Sequence, residues 1–336
     1  MGKPFISVVV TAYNRREFLK YAVKSVINQT LDKGLYEMIV VKNFKDLEID
    51  HLIENNRGKI IDAGDESIGK YLTRGINESE GEVIAFLDDD DVYHSRKLEL
   101  LLKVFNKNEE LDYYHHNIIP INEKGDIIAA ETDNIYEYIT IRSNDYNTIL
   151  NLIKKYNLRM GIYMSTIALR KSLASMLAKY LLPHVIYAPD SVTYAFALRY
   201  GRLLVHEPHY LTYYRIHGKN VSRKFEDDLK RISKVGALTI VAVRYQIPII
   251  LTFSVEDIKI KETLKKIAEK AIKITYTDIV SSIVMDWRYN IVKYSFKGLL
   301  TGIKDASIYR IAAAIIGFIY LIDPYVTKKL IQWWYF

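Results

Sequence analysis

Residues 82–91 read EVIAFLDDDD, an apolar, strand-forming run that ends in four consecutive aspartates. Adjacent carboxylates repel one another, and a divalent cation readily offsets that repulsion. Oxygen ligands in this number suit Mg²⁺ or Mn²⁺ that stays partly hydrated and bridges phosphate oxygens. The alternative is an acidic start to the following helix, because the helix dipole favours aspartate there. The stretch therefore predicts a strand whose carboxyl end is either a metal-ion site or a helix start.

Strand and helix patterns alternate before this stretch. Phe5–Val10, Tyr36–Val41 and Lys59–Ile61 have the short apolar runs of strands, whereas Arg16–Ile27 and Ile68–Asn77 repeat apolar residues at helical spacing. This alternation predicts an α/β fold with a Rossmann-like, mainly parallel sheet flanked by helices. Ligands of such sheets bind beyond the carboxyl ends of the strands, where the four aspartates would lie.

The patterns after the aspartates are more varied. Residues 136–156 are polar and allow no assignment. The other segments predict, in order, a helix over His94–Asn106, a hairpin over Ile118–Ile128, a buried strand over Met160–Leu169, a helix over Asp190–Tyr200 and an extended segment over Leu203–Tyr214.

The length of 336 residues suggests two units. We expect an α/β catalytic domain over residues 1–225 and a helical C-terminal region over residues 226–336. The absence of cysteine excludes a disulfide framework, a cysteine-ligated zinc site and a thiol nucleophile. The N-terminal residues enter a strand pattern at once, so we expect no signal peptide.

The basic excess of the chain lies in its C-terminal region. Residues 226–336 contain 17 Lys+Arg and 11 Asp+Glu, which accounts for +6 of the net charge of +7. The apolar run Ile311–Ile322 has 12 residues, fewer than the roughly 20 that span a bilayer, and the chain ends in Trp-Trp-Tyr-Phe. These features predict peripheral contact with an anionic membrane, at the inner face of the cell membrane in the cytoplasm. The alternatives are a helical bundle or a homodimer contact, and nucleic acid is not expected because denser Lys/Arg runs would be needed.

A second motif lies at the N-terminus. Ser7–Arg15 read SVVVTAYNR, a strand that ends in a loop with backbone and side-chain donors suited to a nucleotide. The alternative is a core strand followed by a polar turn.

Together these segments resemble the inverting family 2 glycosyltransferases, which have a GT-A fold. Ser7–Arg15 and Phe86–Asp91 carry the two main motifs. Further matches follow in the family's order at Gly69, Gly75-Ile76, Glu80–Glu82, Ser165–Ser172, Pro189-Asp190 and Tyr214–Ser222.

The resemblance implies a sugar transfer from a nucleotide-diphosphate donor to a glycan or lipid-linked acceptor, with Mg²⁺ or Mn²⁺ as cofactor. Asp88, Asp90 and His217 would bind the metal, Asp91 would orient the acceptor and Asp190 would be the general base. His217 could instead be a packed residue and Asp190 a helix cap, which is a common role for aspartate. Donor contacts would come from Thr11, Ala12, Tyr13, Asn14, Arg15, Asn43, Lys70, Asp89 and Arg215.

The chain departs from the family pattern at two places. Lys42-Asn43 stand where the family has Asp-Asp-Gly-Ser, whose first aspartate contacts the base, so the identity of the donor base is open, and Asp62 or Asp65 could substitute. Pro189 stands where a second carboxylate is usual. A catalytically impaired GT-A-like module that binds a nucleotide or glycan for a partner protein is the alternative function. A nucleotidyltransferase is disfavoured because no glycine-rich basic signature precedes the first helix.

Overall fold

The computed structural model describes residues 2–143, 145–156, 159–185, 188–218 and 220, and single residues at 262, 295, 296, 299, 300, 315 and 318. The chain divides into two compact units, and residues 1–217 belong to the first of them, together with residues 247–271. The predicted boundary after residue 225, the predicted helical region over 226–336 with its apolar run, and the Trp-Trp-Tyr-Phe terminus lie outside the described residues, the single positions aside. In the part that is described, no helix is long and apolar enough to cross a membrane.

Four parallel strands form one half of the sheet. Their spatial order is β3 (Lys59–Asp62), β2 (Tyr36–Lys42), β1 (Ile6–Ala12) and β4 (Val83–Asp88). β1 is fully buried, which explains its β-branched, apolar sequence. Thr11 of β1 lies level with Asp88 of β4, so the aspartates begin at the carboxyl edge of the parallel strands.

The other half of the sheet is mixed. β4 pairs antiparallel with β8 (Ile167–Arg170), which pairs antiparallel with β6 (Leu111–Ile121). β6 runs parallel to β9 (Leu203–Arg215), and β9 also pairs antiparallel with two short strands, β5 (Val92–Tyr93) and β7 (Ile139–Arg142). Because β5 follows the aspartates directly, its pairing fixes them against the end of β9.

Seven α-helices lie in the described residues. They are α1 (Leu19–Ile27), α2 (Leu47–Asn55), α3 (Ile68–Glu78), α4 (Lys97–Lys107), α5 (Tyr146–Tyr156), α6 (Lys171–Tyr180) and α7 (Pro189–Tyr200).

Two glycines of the family-like segment are explained by packing. A Cβ atom at Gly75 would lie 2.3 Å from Cγ1 of Val9, so the absence of a side chain lets α3 approach β1 closely. A Cβ atom at Gly69 would lie 1.9 Å from the carbonyl oxygen of Leu182, in the segment that leads toward Asp190. Both glycines therefore hold α3 in place between the sheet and the loop before α7.

The predicted α/β fold is confirmed, and two local predictions need correction. Met160–Leu169 is not one strand: it forms two 3-10 turns, Arg159–Gly161 and Met164–Thr166, before β8 begins. The predicted hairpin over Ile118–Ile128 is reduced to a turn at Gly125 with one bridge between Ile121 and Ile127, because Ile118–Ile121 complete the long strand β6. The unassigned residues 136–156 contain β7 and α5.

Candidate active site

The aspartate cluster, Asp88 to Asp91, is anchored by hydrogen bonds of its own backbone amides. The amide of Asp88 donates to Oγ of Ser165 at 3.0 Å, and the amide of Asp89 donates to the carbonyl of Thr11 at 3.1 Å. The amide of Asp91 then donates to the carbonyl of Asp88 at 3.2 Å, which closes a tight turn. The turn holds all four carboxylates at the carboxyl edge of β1 and β4.

Three of these carboxylates are almost fully buried, since Asp89, Asp90 and Asp91 are 1%, 6% and 1% exposed. Arg15 neutralises two of them. Its guanidinium contacts Asp89 through Nε (3.3 Å to Oδ2) and Nη2, and it contacts Oδ2 of Asp90 through Nη1 at 2.6 Å. The second half of the SVVVTAYNR motif is thereby joined directly to the acidic motif.

His217 lies at the same cluster. Its Nε2 is 3.0 Å from Oδ2 of Asp90, and its side chain is almost fully buried. Burial alone would raise the pKa of Asp90, but the hydrogen bond with His217 and the charge of Arg15 outweigh burial, so the pKa of Asp90 is lowered. Asp90 is therefore a carboxylate that stays ionised inside the domain.

Asp88 has a different electrostatic environment. Burial, then the negative charge of Asp90, raise the pKa of Asp88 to about 7, and Asp190 adds to the rise. Thr11 Oγ1 lies 3.5 Å from Oδ1 of Asp88. The charge of Arg15 opposes this rise but does not outweigh it.

Asp91 and Arg215 join the cluster to β9. Oδ1 of Asp91 accepts from the amide of Arg215 at 3.0 Å, and burial followed by repulsion from Asp90 and Asp88 raises the pKa of Asp91 well above its ordinary value. The Arg215 guanidinium lies over the ring of Phe18 and donates to the backbone carbonyls of Asp90, Asn122 and Glu123. Both side chains are buried in these contacts, which leaves little of Asp91 open to an acceptor.

The loop after β1 faces the loop after β2. Asn14 has a left-handed backbone (φ 52°), and its amide donates to Oδ1 of Asn43 at 2.9 Å while Nδ2 of Asn43 donates to Oδ1 of Asn14 at 2.9 Å. The Tyr13 hydroxyl donates to Asp65, and the Tyr13 ring packs edge-on against Tyr71. An exposed aromatic ring, a carboxylate and a pair of amides therefore lie together at this edge, whereas Ala12 is fully buried.

Two lysines near this loop have other partners. Lys70 is half exposed on the first turn of α3, with Nζ 3.8 Å from Glu66. Lys42, one of the departures from the family pattern, is only 3% exposed. Its Nζ points toward α2, 2.9 Å from Asp50. Of the substituted pair Lys42-Asn43, Asn43 contacts the loop after β1, through its hydrogen bonds with Asn14.

Asp190 lies in the first turn of α7. Its Oδ2 accepts from the amide of Tyr163 at 3.0 Å and its Oδ1 from the amide of Ser191 at 2.8 Å. The N-cap of α7 is Ala188, so Asp190 is not the cap residue. Burial raises the pKa of Asp190 to about 6, although the two amide hydrogen bonds oppose the rise. A carboxylate with this pKa is suited to accept a proton near neutral pH.

The backbone around Asp190 is strained. Tyr163 has φ 66° and Ala188 has φ 51°, values that non-glycine residues rarely adopt. With Asn14 they are three of the four non-glycine residues with positive φ in the described chain, and all three lie at the candidate site. Strain of this kind persists where the surrounding structure fixes a functional geometry.

Lys97 is a site residue that sequence reasoning missed, and Ser165 was identified only as part of the family-like segment Ser165–Ser172. Lys97 is fully buried, and its Nζ donates to the carbonyl of Ser165 at 2.6 Å and contacts Oγ1 of Thr212 at 3.2 Å. Because Oγ of Ser165 accepts from the Asp88 amide, these contacts fix the start of the aspartate turn. A signal was present, since Lys97 lies four residues before Leu101 and therefore shares the inward stripe of α4.

Within the described residues, no three His, Asp or Glu side chains are placed to hold a metal ion by themselves. The donor chemistry nevertheless fits a divalent cation that completes its shell with phosphate and water. Asp90 and His217 present an oxygen and a nitrogen 3.0 Å apart, and Asp88 lies close enough to Asp90 for the charge of Asp90 to raise its pKa.

Comparison with solved structures defines the class of the fold. S. aureus TarS 1-349 in complex with UDP aligns with a TM-score of 0.58, covering 94% of this chain and 91% of that chain at 14% sequence identity. The same TarS fragment in complex with UDP-GlcNAc aligns with a TM-score of 0.54, also at 14% identity and with the same coverage. The described sheet is that of a GT-A-type domain.

Sequence comparison assigns the chain to a protein family. The profile of glycosyl transferase family 2 matches residues 7–177, about half of the chain, and the chain belongs to this family. An uncharacterized glycosyltransferase of Rickettsia bellii is 30% identical over 168 residues, which cover 49% of this chain and 23% of that protein. An uncharacterized glycosyltransferase of Methanocaldococcus jannaschii is 29% identical over 149 residues, covering 42% of this chain and 51% of that protein. The chain thus matches a quarter to a half of the length of these relatives.

Proposed function

We propose that the chain is an inverting glycosyltransferase that moves a sugar from a nucleotide-diphosphate donor to the hydroxyl group of a glycan or lipid-linked acceptor. The observation that carries the proposal is the proximity of Asp190, whose carboxylate is held by the amides of Tyr163 and Ser191, to the aspartate cluster. Asp190 has a pKa of about 6 and lies near enough to Asp88 to raise the pKa of that residue. A proton acceptor next to a cluster suited to diphosphate chemistry is the arrangement that such a transfer needs.

Asp190 would take the proton of the acceptor hydroxyl. As the acceptor oxygen forms its bond to the anomeric carbon, the bond from that carbon to the diphosphate oxygen breaks, and the nucleoside diphosphate leaves with the electron pair. Attack from the face opposite the leaving group inverts the anomeric configuration. The amides of Tyr163 and Ser191 hold the Asp190 carboxylate in place for this step.

Asp88, Asp90 and His217 would hold Mg²⁺ or Mn²⁺ together with the donor diphosphate. When bound, the metal would neutralise charge on the departing diphosphate. Binding of TarS to UDP and UDP-GlcNAc supports a nucleotide sugar as donor. The donor would lie along the Tyr13-Asn14 loop, with Asn43 and Asp65 as candidate base contacts.

The rival function is a catalytically impaired module that binds nucleotide or glycan for a partner. The altered Lys42-Asn43 pair is the feature that favours it. Lys42, however, is buried against α2 and leaves the base side of the site to Asn43. The altered pair is therefore compatible with a donor contact, and the proposal of an active enzyme takes precedence.

Thermal unfolding with nucleotides tests donor binding. Because a ligand that binds only the folded state stabilises it, UDP, GDP or dTDP in excess should raise the melting temperature in the presence of Mn²⁺, and EDTA should remove most of the shift. An adenosine monophosphate control should give a much smaller shift. No shift with any of the three diphosphates would contradict the proposed donor class.

We also propose that the protein binds peripherally to the cytoplasmic face of the cell membrane. The basis for this proposal is the sequence of residues 226–336. Deleting residues 323–336 should release the protein from vesicles of anionic phospholipid in co-sedimentation, while metal-dependent donor hydrolysis persists. Binding of the full chain should weaken with salt, since each basic residue near the surface contributes about 1 kcal/mol. A truncated protein that still sediments, or that no longer folds, would contradict a terminal anchor.

A further inference from the structure

Oδ2 of Asp90 already has two partners. Nη1 of Arg15 lies 2.6 Å from this oxygen and Nε2 of His217 lies 3.0 Å from it. Asp90 is also one of the residues proposed to bind the metal. The Arg15 guanidinium thus already contacts Oδ2 of Asp90, an oxygen that a divalent ion would bind.

Asp89 holds the same guanidinium from the other side. Nε and Nη2 of Arg15 contact the two oxygens of Asp89, the forked arrangement that fixes the plane of a guanidinium. The Asp89 side chain is 2% exposed, whereas that of Arg15 is 26% exposed. Asp89 therefore anchors Arg15, and the Nη1 edge is the part of the guanidinium that can exchange one anionic partner for another.

We infer that Arg15, held by Asp89, is a positioning residue that couples metal binding to donor binding. Without donor, Nη1 neutralises Asp90 and competes with a divalent ion. When a nucleoside diphosphate binds, its phosphate oxygens replace Asp90 as the partner of Nη1, and the Asp90 carboxylate becomes available to the metal. This inference rests on the proposed function, because it concerns the same metal and diphosphate site.

The coupling predicts a result that is independent of turnover. In the full-length protein, Mn²⁺ alone should bind weakly, and saturating diphosphate should strengthen its binding. Arg15→Gln should bind Mn²⁺ alone about 5-fold to 100-fold more tightly than the wild type, the usual range of a coupling between two sites, and the further gain from diphosphate should shrink. The matched control is Arg16→Gln, which removes the same charge from the next residue, whose guanidinium lies over the Phe44 ring and not on the aspartates.

The experiment is a Mn²⁺ titration followed by the electron paramagnetic resonance signal of free Mn²⁺. Wild type, Arg15→Gln, Arg15→Lys and Arg16→Gln are titrated alone and with UDP, GDP or dTDP, and melting curves verify that each variant folds. Arg15→Lys keeps the positive charge but cannot make the paired contact with both oxygens of Asp89, so it should lose part of the coupling. It serves as the test if Arg15→Gln is unfolded.

The outcomes separate this inference from the proposed function. If the wild type gains Mn²⁺ affinity from a diphosphate but Arg15→Gln binds Mn²⁺ alone no more tightly than wild type or Arg16→Gln, the role of Arg15 is wrong and the metal-dependent function stands. If no protein binds Mn²⁺ with any diphosphate, the proposed metal site is wrong and the inference falls with it.

Discussion

Asp190→Asn should lower the rate of sugar transfer by a factor of about 10²–10⁴, the usual contribution of a positioned general base. Donor and metal affinity should stay close to wild type, because the contacts of the aspartate cluster do not include Asp190. Calorimetric titration with the diphosphate that stabilises the protein best, paired with turnover at saturating donor, separates the two effects.

In the wild type, turnover at saturating Mn²⁺ should also fall about tenfold per pH unit below pH 6, since burial raises the pKa of Asp190 to about 6 and the base must be deprotonated.

Asp32→Asn provides the matched control. Asp32 is exposed in the loop before β2, at the opposite edge of the parallel strands, where its carboxylate accepts from the Gly34 amide. This variant should keep wild-type turnover and the same pH profile. Loss of nucleotide binding in Asp190→Asn would instead make Asp190 a donor-binding or structural residue.

Asp90→Asn should remove most turnover, with a loss of at least about 10²-fold, because Asp90 would hold the metal ion that neutralises the departing diphosphate, and that neutralisation contributes several kcal/mol. Mn²⁺-dependent nucleotide binding should weaken as well. The melting temperature should change little, since the substitution relieves repulsion within the aspartate cluster and the amide oxygen can still accept from Arg15 or His217.

Asp88→Asn should give the same pattern, because Asp88 shares the proposed metal site. The measurements are turnover at saturating Mn²⁺, nucleotide binding with Mn²⁺ and with EDTA, and thermal unfolding of each variant. Full activity in both Asp88→Asn and Asp90→Asn would remove the metal assignment.

The parallel half of the sheet was predictable from the sequence. β1, β2 and β4 are short apolar runs separated by helical patterns, and parallel pairing brings their carboxyl ends to one edge whatever the detailed register. The mixed half was less predictable. β8 begins only at Ile167, because residues 159–166 form turns that bring the Tyr163 amide to Asp190, and this long-range contact leaves no local pattern.

The sequence predicted which residues form the candidate site better than it predicted the contacts between them. Thr11, the Asp88–Asp91 cluster and His217 do meet, as the ordered motifs implied. The role of Asp89 as the anchor of Arg15 was not predictable, because it depends on which oxygen faces which nitrogen across 74 residues of sequence. The burial of Lys97 was not predicted because a lysine is usually exposed, although its position on α4 places it on the inward face.

The central claim is metal-dependent transfer from a nucleotide-diphosphate sugar, and donor hydrolysis measures it most directly. Purified full-length protein is incubated with UDP-, GDP- and dTDP-sugars, with Mn²⁺ or with EDTA, and release of nucleoside diphosphate is followed over time. We expect one class of donor to be hydrolysed with Mn²⁺, with little release in EDTA and little from Asp190→Asn. Binding of a nucleoside diphosphate without release from any donor, under conditions where the protein is folded, would contradict the enzyme and favour the binding module.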